Sequence, residues 1–174
     1  MNTTSTLHAA DSIESATRNP LCAMLHSLVR SSDSAPPAVL RLALAAAIFP
    51  HGAQKLLGWF GGYGFTGTMG FFTGTMGISA PLAFGVIVIE FFAPLFLVLG
   101  AGTRLAASGL AIVMTTAMLM VHIHNGFFMN WSGTQPGEGS EYFLLAIGIA
   151  VALLISGGGR WSVDRLLSGQ ANAR

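Results

Sequence analysis

Hydrophobic residues gather in four long apolar stretches along the chain, separated by glycine-rich or polar segments. A helix that spans a bilayer needs about 20 consecutive, mostly apolar residues. We therefore predict four transmembrane helices, over residues 39–60, 80–99, 105–124 and 142–156, with the fourth beginning near Ser140. The turn at residues 100–103 is so short that spans two and three must be antiparallel neighbours. The predicted fold is all-α, an antiparallel bundle of four transmembrane helices.

Composition and charge support a membrane environment. Apolar residues make up 52% of the chain and charged residues only 9%, whereas soluble domains carry about 25% charged residues. When the chain crosses four times, seven of its eight basic residues lie on one side, and only Lys55 lies toward the other. The positive-inside rule then places both termini in the cytoplasm, as expected in a bacterial-type plasma membrane. The net charge of +1 gives no reason to expect a nucleic-acid partner.

The two ends of the chain differ from the membrane domain predicted over residues 38–168. Residues 1–37 are polar and rich in Ser and Thr, without the basic start and apolar run of a cleavable signal peptide. We expect disorder through about residue 17 and a short interfacial helix over residues 20–29. Residues 169–174 are expected to form a loose tail.

The first outer loop contains the sequence FTGTMG twice, at residues 65–70 and 72–77. A period of seven nearly matches two helical turns, so the loop is predicted to form a short helix that lies in the interface or re-enters the membrane. Gly62, Gly64 and Gly67 have GxGxxG spacing, but no strand precedes them, so dinucleotide binding is not indicated. In the second outer loop, Phe127, Phe128 and Trp131 fit an aromatic belt at the membrane surface or the rim of a pocket for quinone or lipid.

Ionisable residues inside or beside the spans are the main candidates for function, because such groups are rare in membranes and usually face the bundle interior. At about 1.5 Å per residue, Lys55 lies one helical turn beyond His51. Lys55 is predicted to pair with Glu141 or Glu90, and His51 to lie close to Glu90. The full candidate polar site comprises His51, Lys55, Glu90, His122, His124 and Glu141.

These polar residues have two interpretations that the pattern leaves open. They either lock the helices in register or line a functional pocket, and Pro50 and Pro94 would add a packing kink or a small cavity beside them. We predict no metal site, since His122 and His124 are two apart and diverge on a helix; paired axial haem histidines stay an alternative. Methionines of span three are expected to be pliable core residues, with copper binding as the remote option. The single cysteine, Cys22, excludes a dithiol mechanism within this chain.

At this point the chain resembles the DoxX family of small four-helix membrane proteins, over roughly residues 38–168. The resemblance rests on Arg41, the run HGAQKL at 51–56, GGYG at 61–64, Phe71 and Phe72 leading to Gly77, Ile78 and Pro81, Glu90, Leu99 and Gly100, Thr103 and Arg104, GFF at 126–128, Glu138 and Gly139, Glu141, and SVD at 162–164. The family takes its name from a subunit linked to thiosulfate:quinone oxidoreductase. Other relatives are described as membrane partners of redox or oxidative-stress proteins, which implies a redox-associated role in the membrane.

Three functions follow as hypotheses. The first is a redox-associated subunit of an oxidoreductase that interacts with quinone; with no intrinsic cofactor or catalytic motif, it would need a separate catalytic partner to supply electrons. The second is a structural or assembly protein whose buried pairs only hold the helices together. The third is a small proton-coupled transporter or binder of a hydrophobic metabolite, for which a homo-oligomer is expected because four spans are few.

Overall fold

The structure is a computed structural model that describes residue 24 and residues 27–168. These residues form helices and no strand. We number the α-helices in chain order as α1 Pro36–Leu57, α2 Gly64–Gly70, α3 Ala80–Leu99, α4 Thr103–Met120, α5 Glu141–Ser156 and α6 Val163–Leu167. Short 3₁₀ turns lie at Trp59–Gly61 and His122–Asn125. The expected disorder through residue 17, most of the helix expected over 20–29, and the tail lie outside the described residues.

Two of the helices, α3 and α4, are long and apolar enough to cross a membrane, and α5 is a shorter apolar helix. The bounds of α3 match the second predicted span, while α4 ends four residues before the third was expected to end. α1 is shifted by about one turn toward the N-terminus relative to the first predicted span. The predicted all-helical class is confirmed for the described residues.

The ends of the long helices follow from proline and glycine. Proline occupies the first turn of α1 and of α3, where no backbone N–H is needed. Gly58 ends α1 at a φ of 74° and Gly100 ends α3 at a φ of 64°, both in the left-handed region that glycine adopts without strain. Because only residues 100–102 separate α3 from α4, these two helices run antiparallel, as predicted.

The four long helices form a closed ring in which α1 packs on α3, α3 on α4, α4 on α5, and α5 back on α1. The core between them mixes leucine and isoleucine with many alanines, including Ala45, Ala107 and Ala150. Small residues let helix backbones approach closely, which is the main route to packing where lipid rather than water surrounds the helices.

The repeated FTGTMG segment is helical, as predicted, but it includes π-helical turns that its seven-residue period did not indicate. Its first copy lies within α2, and the chain then continues as π-helical turns over Phe71–Thr75 before Ala80 opens α3. A π-helical turn often marks a functional site, since it redirects side chains from the regular helical face. Here it carries Phe71 and Phe72 to the end of the four-helix ring where α1 ends, and both line a cavity there.

Candidate functional site

A cavity of about 450 Å³ lies at the end of the helix ring that Lys55 approaches. Its walls come from all four long helices, from the π-helical segment and from the loop before α5, and they are predominantly apolar. Such a volume is in the range of small-molecule sites, which are usually apolar with a few well-placed polar groups. Four of the sequence-predicted site residues line it: His51, Lys55, Glu90 and His122.

An ion pair between Lys55 and Glu90 forms the polar wall of this cavity. Lys55 Nζ lies 2.5 Å from Glu90 Oε2, and the two side chains are 26% and 5% exposed. Among the described residues, no group forms a well-oriented hydrogen bond with Oε2, so the contact with lysine is electrostatic. Of the two partners predicted for Lys55, Glu90 is therefore the one that it meets.

Gly52 explains why this pair can form. A Cβ atom on Gly52 would lie 2.3 Å from the backbone carbonyl oxygen of Glu90, so only glycine allows α1 and α3 to approach this closely. Lys55 stands three residues beyond Gly52 and therefore lies on nearly the same face of α1. On α3, Pro94 lacks the N–H that would bond to the Glu90 carbonyl in a regular helix. The glycine and the proline thus shape the backbone around the pair.

His51 lies at an opening of the cavity. Its side chain is exposed to the surface although it lines the cavity, and it lies within electrostatic reach of Lys55 and Glu90. Its ring centroid is 6.1 Å from that of Tyr142, whose hydroxyl donates a long hydrogen bond of 3.4 Å to the carbonyl of Ala47. An imidazole from α1 and a phenol from α5 therefore lie next to each other at this edge of the cavity.

His122 is held in one orientation on the opposite wall. Its Nδ1 lies 2.9 Å from the carbonyl oxygen of Glu138, and its ring stacks on Phe143 with centroids 4.1 Å apart. A carbonyl oxygen can only accept, so Nδ1 carries the proton and, in the neutral ring, Nε2 is the free acceptor. The 3₁₀ turn after α4 thus presents an oriented imidazole to the cavity.

The remaining predicted site residues do not line the cavity. His124 is exposed in the 3₁₀ turn, and Glu141 Oε2 instead accepts from the backbone N–H of Met129 at 3.3 Å. Phe127 and Phe128 form an edge-to-face pair with centroids 5.2 Å apart, and Trp131 is 89% exposed. These three aromatics therefore lie on the outer surface of the loop and not on the lining.

Sequence reasoning missed several residues that do line the cavity. Tyr142 and Phe143 follow directly after Glu141 and project inward from the first turn of α5. Four methionines also line it, two of them from helices and two from connecting segments: Met76, Met114, Met120 and Met129. The repeat at 65–77 could have indicated two of the lining residues, since its second copy contains Phe72 and Met76. No sequence pattern indicated Met129 in the loop before α5.

The loop before α5 is held by main-chain contacts. The N–H groups of Ser140 and Glu141 donate to the carbonyls of Gly126 and Phe127, at 3.1 and 2.8 Å. A Cβ atom on Gly139 would lie 2.4 Å from the Phe128 carbonyl oxygen, so this crossing requires glycine. Gly139 permits the crossing, and the crossing places the carbonyl oxygen of Glu138 within hydrogen-bond distance of His122.

The opposite end of the bundle contains a second polar cluster, formed by Arg41 and Asp164. Arg41 is buried and donates through its Nη atoms to the carbonyls of Leu97 and Val98 at the end of α3, and to Trp161 at 2.7 Å. Asp164 accepts from the backbone N–H groups of Gly102 and Thr103, at 2.6 and 2.8 Å. A cation at a helix C-terminus and an anion at a helix N-terminus both stabilise the helix dipole, so this cluster fastens the α3–α4 turn.

In the part of the chain that the structure describes, no three His, Cys, Asp or Glu side chains are grouped closely enough to hold a metal ion. Comparison with known proteins identifies one family model, described as DoxX, which matches residues 37–123 and so covers half of the chain. The matched part runs from the first turn of α1 through the 3₁₀ turn that holds His122. No curated protein and no solved structure matches the chain.

Proposed function

The chain belongs to the DoxX family of membrane proteins, and we propose that it is a redox-associated membrane subunit that binds a quinone head group in the cavity beside Lys55 and Glu90. Reduction of a quinone to a quinol takes two electrons and two protons. The chain carries no motif for an electron-carrying cofactor, so in this proposal a separate catalytic protein supplies the electrons.

The proposal includes four membrane-spanning helices, and the distribution of side chains supports it. Large apolar residues are exposed on every long helix, whereas Arg41, Glu90 and Asp164 are buried between helices. A water-soluble protein hides its apolar residues, but a protein in lipid can turn them outward and keep its polar groups inside. With four spans, the arginine-rich end that contains Arg41 faces the cytoplasm, and both termini lie on that side.

The chemistry of the cavity carries the proposal. A quinone head group is a flat apolar ring with two carbonyl acceptors, and a quinol carries hydroxyl donors in their place. Lys55 supplies an ammonium donor, while the Nε2 acceptor of His122 suits a hydroxyl. Glu90, buried and without a well-oriented hydrogen bond among the described residues, is available to exchange a proton with such a ligand. The apolar walls complete an environment that fits both redox forms.

Ligand-dependent stability tests the proposal directly. The protein, purified into nanodiscs, is titrated with short-chain ubiquinone and menaquinone analogues while its thermal unfolding is followed. A ligand at about 100 times its Kd stabilises the folded state by roughly 2.7 kcal/mol, provided that it does not bind the unfolded state. We expect this stabilisation in the parent and its loss in His122→Gln and Glu90→Gln.

Two matched variants serve as controls because each makes the same chemical change outside the cavity lining. His124→Gln is matched to His122→Gln, and Glu141→Gln is matched to Glu90→Gln. Both control variants should bind quinone as the parent does. Absence of any quinone-dependent shift in a folded parent would refute quinone binding. Equal losses in both members of a matched pair would refute the assignment to this cavity.

One observation favours a second candidate, a role in assembly. Gly52 packs against the backbone of Glu90, so the ion pair lies beside a close backbone contact between α1 and α3 and could act only to fix their register. In that case, replacing both charged residues with apolar ones should leave a folded protein that still associates with its partner, as measured by co-purification. A folded double variant that loses its partner's quinone-dependent activity would speak against a purely structural pair.

A further inference from the structure

The end of the bundle opposite the cavity carries an open groove of about 650 Å³, beside the C-terminal residue of α3. Its lining combines two arginines and a tryptophan with apolar side chains: Leu99, Arg160, Trp161, Ser162, Val163, Arg165 and Leu166. We propose that this groove binds the phosphate head group of an anionic phospholipid from the surrounding bilayer. The proposal rests on α3 crossing the membrane, but it does not depend on the quinone site.

The position of the groove matches the head-group region of a bilayer. Leu99 is the last residue of α3, which is long and apolar enough to cross a membrane, so the groove begins where the hydrocarbon core ends. Leu99 and Leu166 are both largely exposed and extend apolar surface from the groove. A phosphate bound between the arginines would therefore leave its acyl chains free to run along α3.

The charges around the groove leave a surplus of arginine. Arg160 Nε lies 3.4 Å from Asp33 Oδ1, and Arg165 contacts the same carboxylate, so a single acid offsets part of the charge of two guanidinium groups. A guanidinium has five N–H donors, and the shared carboxylate engages few of them. Arg104 reaches the carbonyl of Arg30, which brings two further arginines to the same end. This end is thus basic, as charge complementarity with anionic lipid requires.

Trp161 supports a lipid ligand over a soluble anion. It is 71% exposed, its ring lies 5.8 Å from the guanidinium of Arg160, and its φ of 60° is unusual for a bulky residue. The buried Arg41 donates to its carbonyl at 2.7 Å and so stabilises this conformation. Exposed tryptophans are favoured at the level of lipid head groups, where an apolar ring and a polar N–H are both solvated.

Lipid titration of the detergent-purified protein tests the groove, with bound lipid counted by native mass spectrometry. We expect saturable binding of phosphatidylglycerol over phosphatidylcholine, and about a fivefold loss of affinity in Arg160→Gln, because a cation near an anionic surface contributes on that scale. Trp161→Ala should also weaken binding. Arg30→Gln removes the same charge from the same end but does not line the groove, so its affinity should change less than twofold.

Each other outcome overturns the proposal in a recognisable way. Equal binding of the two lipids would exclude head-group selectivity. Equal losses in Arg160→Gln and Arg30→Gln would indicate general surface charge instead of a site. Competition by millimolar inorganic phosphate with no retained lipid would indicate a free anion, and salt-sensitive retention of an acidic protein without lipid selectivity would indicate a protein partner. Quinone-dependent stability should be unchanged in Arg160→Gln, so failure here is separable from failure of the proposed function.

Discussion

The contact between Gly52 and Glu90 makes the wall of the cavity sensitive to a single methyl group. In Gly52→Ala, the new Cβ would lie 2.3 Å from the Glu90 carbonyl oxygen and 2.7 Å from the Cα of Phe91. Both are backbone atoms that cannot rotate away, so α1 and α3 must move apart. Forcing extra volume into a packed contact costs about 1–3 kcal/mol, and we expect a loss of stability in this range.

The same substitution at Gly148 provides the control. Gly148 lies within α5, and a Cβ atom there would meet nothing within 4 Å. Replacement of a helix-interior glycine by alanine without a clash should stabilise by about 0.5–1 kcal/mol. The two variants should therefore differ by about 1.5–4 kcal/mol, with opposite signs relative to the parent.

Unfolding free energies in bicelles, measured by steric trapping or by denaturing-detergent titration, would give these differences. Quinone binding should fall in Gly52→Ala as well, because moving α1 from α3 displaces Lys55 from Glu90, whereas Gly148→Ala should bind normally. A Gly52→Ala protein as stable as the parent would refute the close contact. A Gly148→Ala protein that loses as much would show that alanine is unfavourable at helical glycines in this protein generally.

Three further predictions concern the charge clusters and turns, and the same unfolding measurement tests them. Asp164→Asn should lower the free energy of unfolding by about 1–3 kcal/mol, because the amide NH₂ would face a backbone N–H that now donates to the carboxylate. An unchanged stability would contradict the proposed contribution of Asp164 to the α3–α4 turn. Gly100→Ala should cost more than Gly102→Ala, since both have positive φ but only the first brings a Cβ to 2.6 Å from Ser162 Cβ; equal costs would argue against the clash. Lys55→Met should cost about 3–5 kcal/mol alone and much less combined with Glu90→Leu; additive losses would argue against a coupled pair.

The long helices could be predicted well because their signals are strong and local. α3 is bounded by Pro81 at its start and Gly100 at its end, and its apolar run is interrupted only by Glu90. The repeat segment has no such contrast, since glycine and threonine are both poor helix formers and give no clear helical signal. Its continuation as π-helical turns over Phe71–Thr75 has no signal in the seven-residue period.

The candidate site could be predicted only in part, because the sequence left two partners open for Lys55. A constant rise per residue gives the level of each side chain along its helix, but the angle around the helix axis also decides which side chains meet. Gly52 allows α1 to pack closely on α3 beside Glu90, and Lys55 lies on nearly the same face of α1, so Lys55 meets Glu90. His124 was expected on a continuous helix, but α4 ends at Met120. Both histidines lie in the 3₁₀ turn that follows, where the angle between successive side chains differs from that in an α-helix.

Two carboxylates are buried among the described residues, and they allow a final comparison. Both oxygens of Asp164 accept from backbone N–H groups, so this side chain is committed to the α3–α4 turn. Glu90 is buried to a similar degree, but its Oε2 meets only the ammonium of Lys55 among the described residues, without hydrogen-bond geometry, and it borders a cavity. A buried polar group left with unused hydrogen-bonding capacity is costly unless a ligand, water or proton completes it. This asymmetry is the physical reason to look for a ligand beside Glu90, and to read Asp164 as structural.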